Sequence, residues 1–143
     1  NEADKQAYDA MFFGCDGLDG ILSVEGFDTA LAEGVMLLTP FVADEDKELT
    51  KNFVAAYEEQ FGGVPNQFGA DAYDGMYAIK AAAEKAGLTP DMSVSDMCEA
   101  MKTAMTEITI DGLTGEGITW TAEGEPSKAP KAMVIKDGAY TAM

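Results

Sequence analysis

The first residues in this chain with the means to do chemistry stand at the end of a short apolar run, Met11-Phe12-Phe13-Gly14-Cys15-Asp16-Gly17. A run of this kind makes a buried parallel strand, and here a Gly stops it and a carboxylate follows where the strand's carboxyl end opens. In open α/β sheets ligands sit outside the carboxyl ends of the strands, so Asp16 is a candidate ligand group. On the local pattern alone, Asp16-Gly17 fits a helix N-cap or a turn better than a ligand group, and both readings stay open. Asp19 and Glu25 invite a calcium reading. An EF-hand loop begun at Asp16 would need an oxygen ligand where Leu18 stands and a Gly where Ile21 stands, so that reading is rejected.

Other chemistries find little support. The chain has no His, which removes the usual general base and the commonest transition-metal ligand. Cys15 and Cys98 lie too far apart in sequence for a zinc signature. They pair only if the fold brings their Cα atoms within about 7 Å, and Cys98 falls on an apolar helical face, so buried free thiols are expected. No Gly-rich loop runs into Lys-Ser or Lys-Thr, and Gly112 to Gly117 reads as a β-turn with no helix N-terminus to offer a phosphate. Carboxylate pairs arise by chance among 26 acidic residues. No catalytic residue, metal site or cofactor is expected, and the chain is read as not an enzyme.

The elements that must position Asp16 come from the rest of the pattern. A length of 143 residues and 47% hydrophobic content suffice for a packed core. The formal charge of -17 argues against nucleic acid and against anionic membrane surfaces, both of which need a positive footprint. No apolar run is long enough to span a bilayer, and no signal sequence or initiating Met is present. The chain opens at Asn1 within an expected helix, Ala3 to Ala10, so a fragment of something longer is expected.

After the strand Met11 to Gly14, residues 17–33 read as loop with one or two helical turns, and Val35 to Leu38 as a second buried strand, parallel to the first. Lys47 to Phe61 has helical apolar spacing, acids at its start and Gly62-Gly63 at its end. Asn66 can cap a helix from Gln67 to Ala86. Ser93 and Asp96 resemble a capping box before a helix with Met97, Met101 and Met105 on one face, read as core. Period-two strands are expected at Ile108 to Ile110 and Ile118 to Trp120, and Asp137-Gly138 marks a hairpin between Ala132 to Lys136 and Ala139 to Thr141.

Taken together, several segments resemble the C-terminal portion of the type I periplasmic (solute) binding proteins, in the branched-chain amino-acid ABC-transporter receptor family. The resemblance rests on Phe13-Gly14-Cys15-Asp16-Gly17, Glu33-Gly34-Val35 through Phe41, Phe53 to Tyr57 with Phe61-Gly62, Ala72-Tyr73-Asp74-Gly75, Asp111 to Gly115, and Ile118 to Trp120 with Glu123-Gly124. It implies an α/β fold: a fragment of two parallel-sheet lobes joined by three crossings, with C-terminal β-hairpins. Residues 1–44 would belong to the second lobe, 45–129 to the first, and 130–143 would return to the second.

The resemblance also implies a site. Asp16 would accept hydrogen bonds from a ligand's α-ammonium, with Gly17 and Leu18 beside it. Phe68 would pack on the ligand side chain, although ordinary helix-start packing explains it as well. Tyr73 would be core, and Asp74 surface or cap. The implied protein is an extracytoplasmic, lipoprotein-type component that carries an amino acid to a membrane ABC permease. The alternatives are a ligand-sensing receptor ectodomain or an acidic non-catalytic interaction module. Because the first lobe's nucleating sheet and the groups for the ligand carboxylate lie outside this chain, the fragment alone is expected to bind poorly and to self-associate or swap.

Overall fold

The computed structural model describes residues 2–143, so Asn1 lies outside them. Helix α1 covers only Glu2–Lys5, not Ala3 to Ala10. Ala7 adopts a φ of +49°, a left-handed conformation in which a right-handed helix cannot continue. The chain forms two compact units: residues up to Gln67 together with Pro130–Met143, and Phe68–Ala129. Residues 45–67 therefore group with the strands of the first unit.

In the first unit, β1 (Phe13–Gly14), β2 (Met36–Thr39), β3 (Lys131–Lys136) and β4 (Ala139–Ala142) form one sheet in that order. β1 is parallel to β2, with Gly14 opposite Leu37. β2 and β3 are antiparallel, with Leu37 opposite Met133. The sheet is thus mixed: the expected parallel pair is present, and a hairpin extends it. Asp137 and Gly138 take φ of 52° and 75°, the double left-handed turn that two-residue hairpins favour, and Lys136 pairs with Ala139 across it.

β1 itself departs from expectation. Phe13 is 59% exposed and Met11 79%, because β1 is a two-residue edge strand. The buried strand is β2, whose Leu37 packs with Ala32, Val42, Met133 and Ile135. Three 3₁₀ turns, Asp16–Leu18, Ile21–Ser23 and Thr29–Ala32, fill the stretch read as loop. Helix α2 (Glu48–Phe61) ends at Gly62, φ 76°, whose N–H donates to Glu58 O. Phe53 stacks edge-on against Phe41 at 6.0 Å between ring centroids, and Tyr57 follows it one turn on.

In the second unit, α3 (Gln67–Ala86, from Phe68 onward) and α4 (Val94–Met105) pack Ala82, Ala104 and Ile108 together, with Met101, Met105 and Trp120 against them. Ser93 caps α4 as read: its Oγ accepts from Asp96 N at 3.1 Å and donates to Asp96 Oδ2 at 2.7 Å.

Asp74 is not at the surface. It is 3% exposed and accepts from Leu113 N (2.8 Å), Thr114 N (2.8 Å) and Thr114 Oγ1 (2.6 Å). A Cβ at Gly112 would lie 2.5 Å from the Asp74 carboxyl carbon and both its oxygens, so only glycine fits there. Two stretches far apart in sequence are thus halves of one clasp. The expected strands shrink to single bridges, Ile110 with Ile118 and Trp120 with Pro126. Between Ile110 and Ile118 the N–H groups of Leu113, Thr114 and Gly117 donate to the side chains of Asp74 and Asp111. Both cysteines are free but exposed rather than buried. Among the described residues no helix is long and apolar enough to cross a membrane.

Candidate functional site

β1 stops at Gly14, and the 3₁₀ turn Asp16–Leu18 follows at the mouth of the parallel pair. Gly14 leaves room for Leu18: a Cβ there would overlap Leu18 Cδ1 and come within 2.8 Å of its Cγ, so the Leu18 side chain would have to shift. Leu18 can therefore fold back onto the core formed around Leu37, which leaves Asp16 and Gly17 exposed above it. Asp16 Oδ1 accepts from Gly17 N at 3.0 Å, so a local turn contact exists. A carboxylate has about four lone-pair sites, and capacity remains for a cation. Asp16 and Gly17 thus stay at the surface of the turn while Leu18 packs inward. Phe68, 53% exposed, is the first residue of the second unit.

What holds the turn was not visible in the sequence. Gln67, at 1% exposure, donates from Nε2 to the Asp16 carbonyl oxygen at 2.8 Å. Its Oε1 accepts from Thr39 Oγ1 at 3.1 Å, and its backbone N–H donates to Asp19 Oδ2 at 2.7 Å. Asp19 therefore satisfies the first N–H of α3 from 48 positions away, a capping role that no local motif announces. Tyr140 closes the other side of this loop, its hydroxyl oxygen accepting from Gly20 N at 2.9 Å and Leu22 N at 3.4 Å. A cavity of about 520 Å³ in the first unit is lined by Asp19, Tyr140, Phe41, Val54 and Met133 among others. Asp16 stands outside it.

Burial pushes the Asp19 carboxyl above its ordinary 3.8, against the lowering effect of the N–H groups of Gln67 and Gly20. Burial likewise raises the Tyr140 hydroxyl, despite the N–H groups pointing at it. For Asp19 the folded protein then holds the proton more tightly than the unfolded chain. Its contribution to stability is full below 3.8 and is lost as pH rises through the raised folded value. Asp19→Asn keeps an oxygen for Gln67 N–H and cannot ionise. In denaturant titrations from about pH 3 to about pH 7, the variant should gain stability relative to the parent as pH rises, then level off. A pH-independent difference would give Asp19 an ordinary pKa.

A parallel strand pair opening onto an acid-bearing turn, extended by an antiparallel hairpin and followed by long helices, defines a mixed α/β fold. The sequence model described as periplasmic binding protein matches residues 9–139, and the chain belongs to that family. Solved structures share the fold. The leucine-binding protein LivK of Thermotoga maritima superposes with a TM-score of 0.77 at 21% identity, covering 99% of this chain and 39% of that one. LivJ of Streptococcus pneumoniae, a branched-chain amino acid transporter substrate-binding protein in complex with isoleucine, gives 0.79 at 21%, covering 99% and 38%. A solute-binding protein of an R. palustris ABC transporter in complex with benzoate gives 0.74 at 19%, covering 93% and 35%. The chain thus spans less than two fifths of the length of these relatives. No curated protein matches it by sequence.

Proposed function

We propose that the protein carrying this chain is the extracytoplasmic solute-binding component of an ABC transporter. It holds an amino acid in a cleft between two α/β lobes and delivers it to a membrane permease. Residues 1–44 and 130–143 are assigned to the second lobe and 45–129 to the first, with 45–67 grouping with the strands of the second in this structure. The observation that carries the reading is Asp16: an exposed carboxylate at the carboxyl end of a parallel strand, on a turn held by buried partners. Its role is to accept the ligand's α-ammonium, and Phe68 offers an apolar surface to the ligand side chain. The relatives named for leucine and in complex with isoleucine support a branched-chain ligand. A relative in complex with benzoate, which has no ammonium, supplies the ligand class against which the role of Asp16 is tested. The exposed apolar residues of α3, Phe68, Met76, Tyr77 and Ile79, support the further proposal that the chain on its own self-associates.

A charge-assisted hydrogen bond in a closed cleft contributes about 1.5–3 kcal/mol. Calorimetric titration of the full-length protein with L-leucine, L-isoleucine and benzoate should show amino-acid binding that weakens about 10- to 150-fold in Asp16→Ala. Phe68→Ala should weaken leucine binding and spare a ligand of smaller side chain. Undiminished leucine affinity in Asp16→Ala removes Asp16 from the site.

A further inference from the structure

We infer that Gln67 is a positioning residue for ligand binding, acting through the peptide of Asp16, with Thr39 as its anchor. The inference rests on the proposed role of Asp16 and adds how that carboxylate is aimed. Three segments remote in sequence meet at one buried side chain. The loop after β1 offers the Asp16 carbonyl, the end of β2 offers the Thr39 hydroxyl, and Gln67 itself begins α3.

The chemistry of the partners fixes the amide. A carbonyl oxygen only accepts, so Nε2 must face Asp16 O at 2.8 Å, and Oε1 is left for the Thr39 hydroxyl at 3.1 Å. Thr39 Oγ1 also accepts from Phe41 N at 3.2 Å, and its one proton is shared between Gln67 Oε1 and the Phe41 carbonyl oxygen at 3.0 Å, so the anchor is tied to the backbone after β2. Asp16 O also accepts from Asp19 N at 2.9 Å, and both lone pairs of that carbonyl are engaged. The backbone that carries the Asp16 side chain is therefore fixed from within the protein, while the carboxylate stays exposed. A preorganised acceptor binds a cation without the cost of ordering its own turn.

Few residues can replace Gln67. Glu would turn an anionic oxygen toward the Asp16 carbonyl, Asn is one methylene short, and Met fills the space with no polar group. Thr39→Ser preserves the anchoring hydroxyl, and Thr39→Val removes it at nearly constant volume.

The test uses the full-length protein with L-leucine as probe. Gln67→Met should weaken binding about tenfold and Thr39→Val about threefold, with Thr39→Ser within about twofold of the parent. In an Asp16→Asn background the Gln67→Met effect should fall below about twofold, because both changes act on one interaction. Without ligand, amide exchange at Gly17, Leu18 and Asp19 should accelerate in Gln67→Met. An undiminished tenfold loss in the Asp16→Asn background, or unchanged leucine affinity in Gln67→Met, overturns the inference. If the parent ignores leucine, or Asp16→Asn leaves affinity untouched, the functional reading fails instead. The exchange rates then decide only whether Gln67 holds the turn, and unchanged rates overturn that as well.

Discussion

Asp74→Ala unfolds the second unit at a cost of about 3 kcal/mol or more. The carboxylate is buried and accepts three hydrogen bonds, two from backbone N–H groups and one from a hydroxyl, all donated by Leu113 and Thr114. Both donor residues are buried, so removing the acceptor strands three donors away from water, each at about 1–3 kcal/mol. Asp74→Asn keeps one acceptor oxygen but turns an N–H₂ group toward donors, and should fall between the parent and Asp74→Ala. Gly112→Ala attacks the same clasp from the other side, because its Cβ meets the carboxyl group at 2.5 Å. Its loss should approach that of Asp74→Ala, and the double variant should cost far less than the two singles added, since one clasp cannot be broken twice. Amide exchange over residues 68–129 measures the effect. A cost below about 1 kcal/mol in Asp74→Ala would show that the clasp holds little.

Leu37→Ala makes the largest comparable loss in the first unit, about 3 kcal/mol within a usual range of about 2–5. Leu37 is fully buried on the central strand, ringed by Ala32, Val42, Met133 and Ile135. β2 is paired on both edges, to β1 and β3, so the backbone has little freedom to collapse into the void. The loss should appear as faster amide exchange in β2 and β3. Exchange in those strands as slow as the parent's would mean that the cavity closes.

Much of the architecture was legible because local signals agreed with one another. Helix α2 carried apolar spacing, acidic start and glycine stop together, and the Asp137-Gly138 turn demanded the double positive φ that the structure contains. What misled were signals with two physical meanings. Met11-Phe12-Phe13 has the composition of a buried strand yet lies on a sheet edge, since hydrophobicity does not state how many neighbours a strand has. Cys98 sits at an apolar spacing but faces solvent. The turn that carries Asp16 was legible from a strand ending in Gly and acid. Asp19 and Gln67 were not, because a carboxylate that caps a helix 48 positions later leaves no local period to read. Asp74 was misjudged for the same reason: its partners lie 39 and 40 positions on.

The order of the strands along the chain governs how this fold is made on the ribosome. β2 gains its second neighbour only when Lys131–Lys136 emerges, after the whole of Phe68–Ala129 has been synthesised. Until then its Leu37-bearing edge is an unpaired template for other chains, while the contiguous second unit can already close its own Asp74 clasp. The nascent protein thus completes its insert before its sheet. A stall or truncation before Pro130 would release a chain with one unit closed and an aggregation-prone edge exposed in the other.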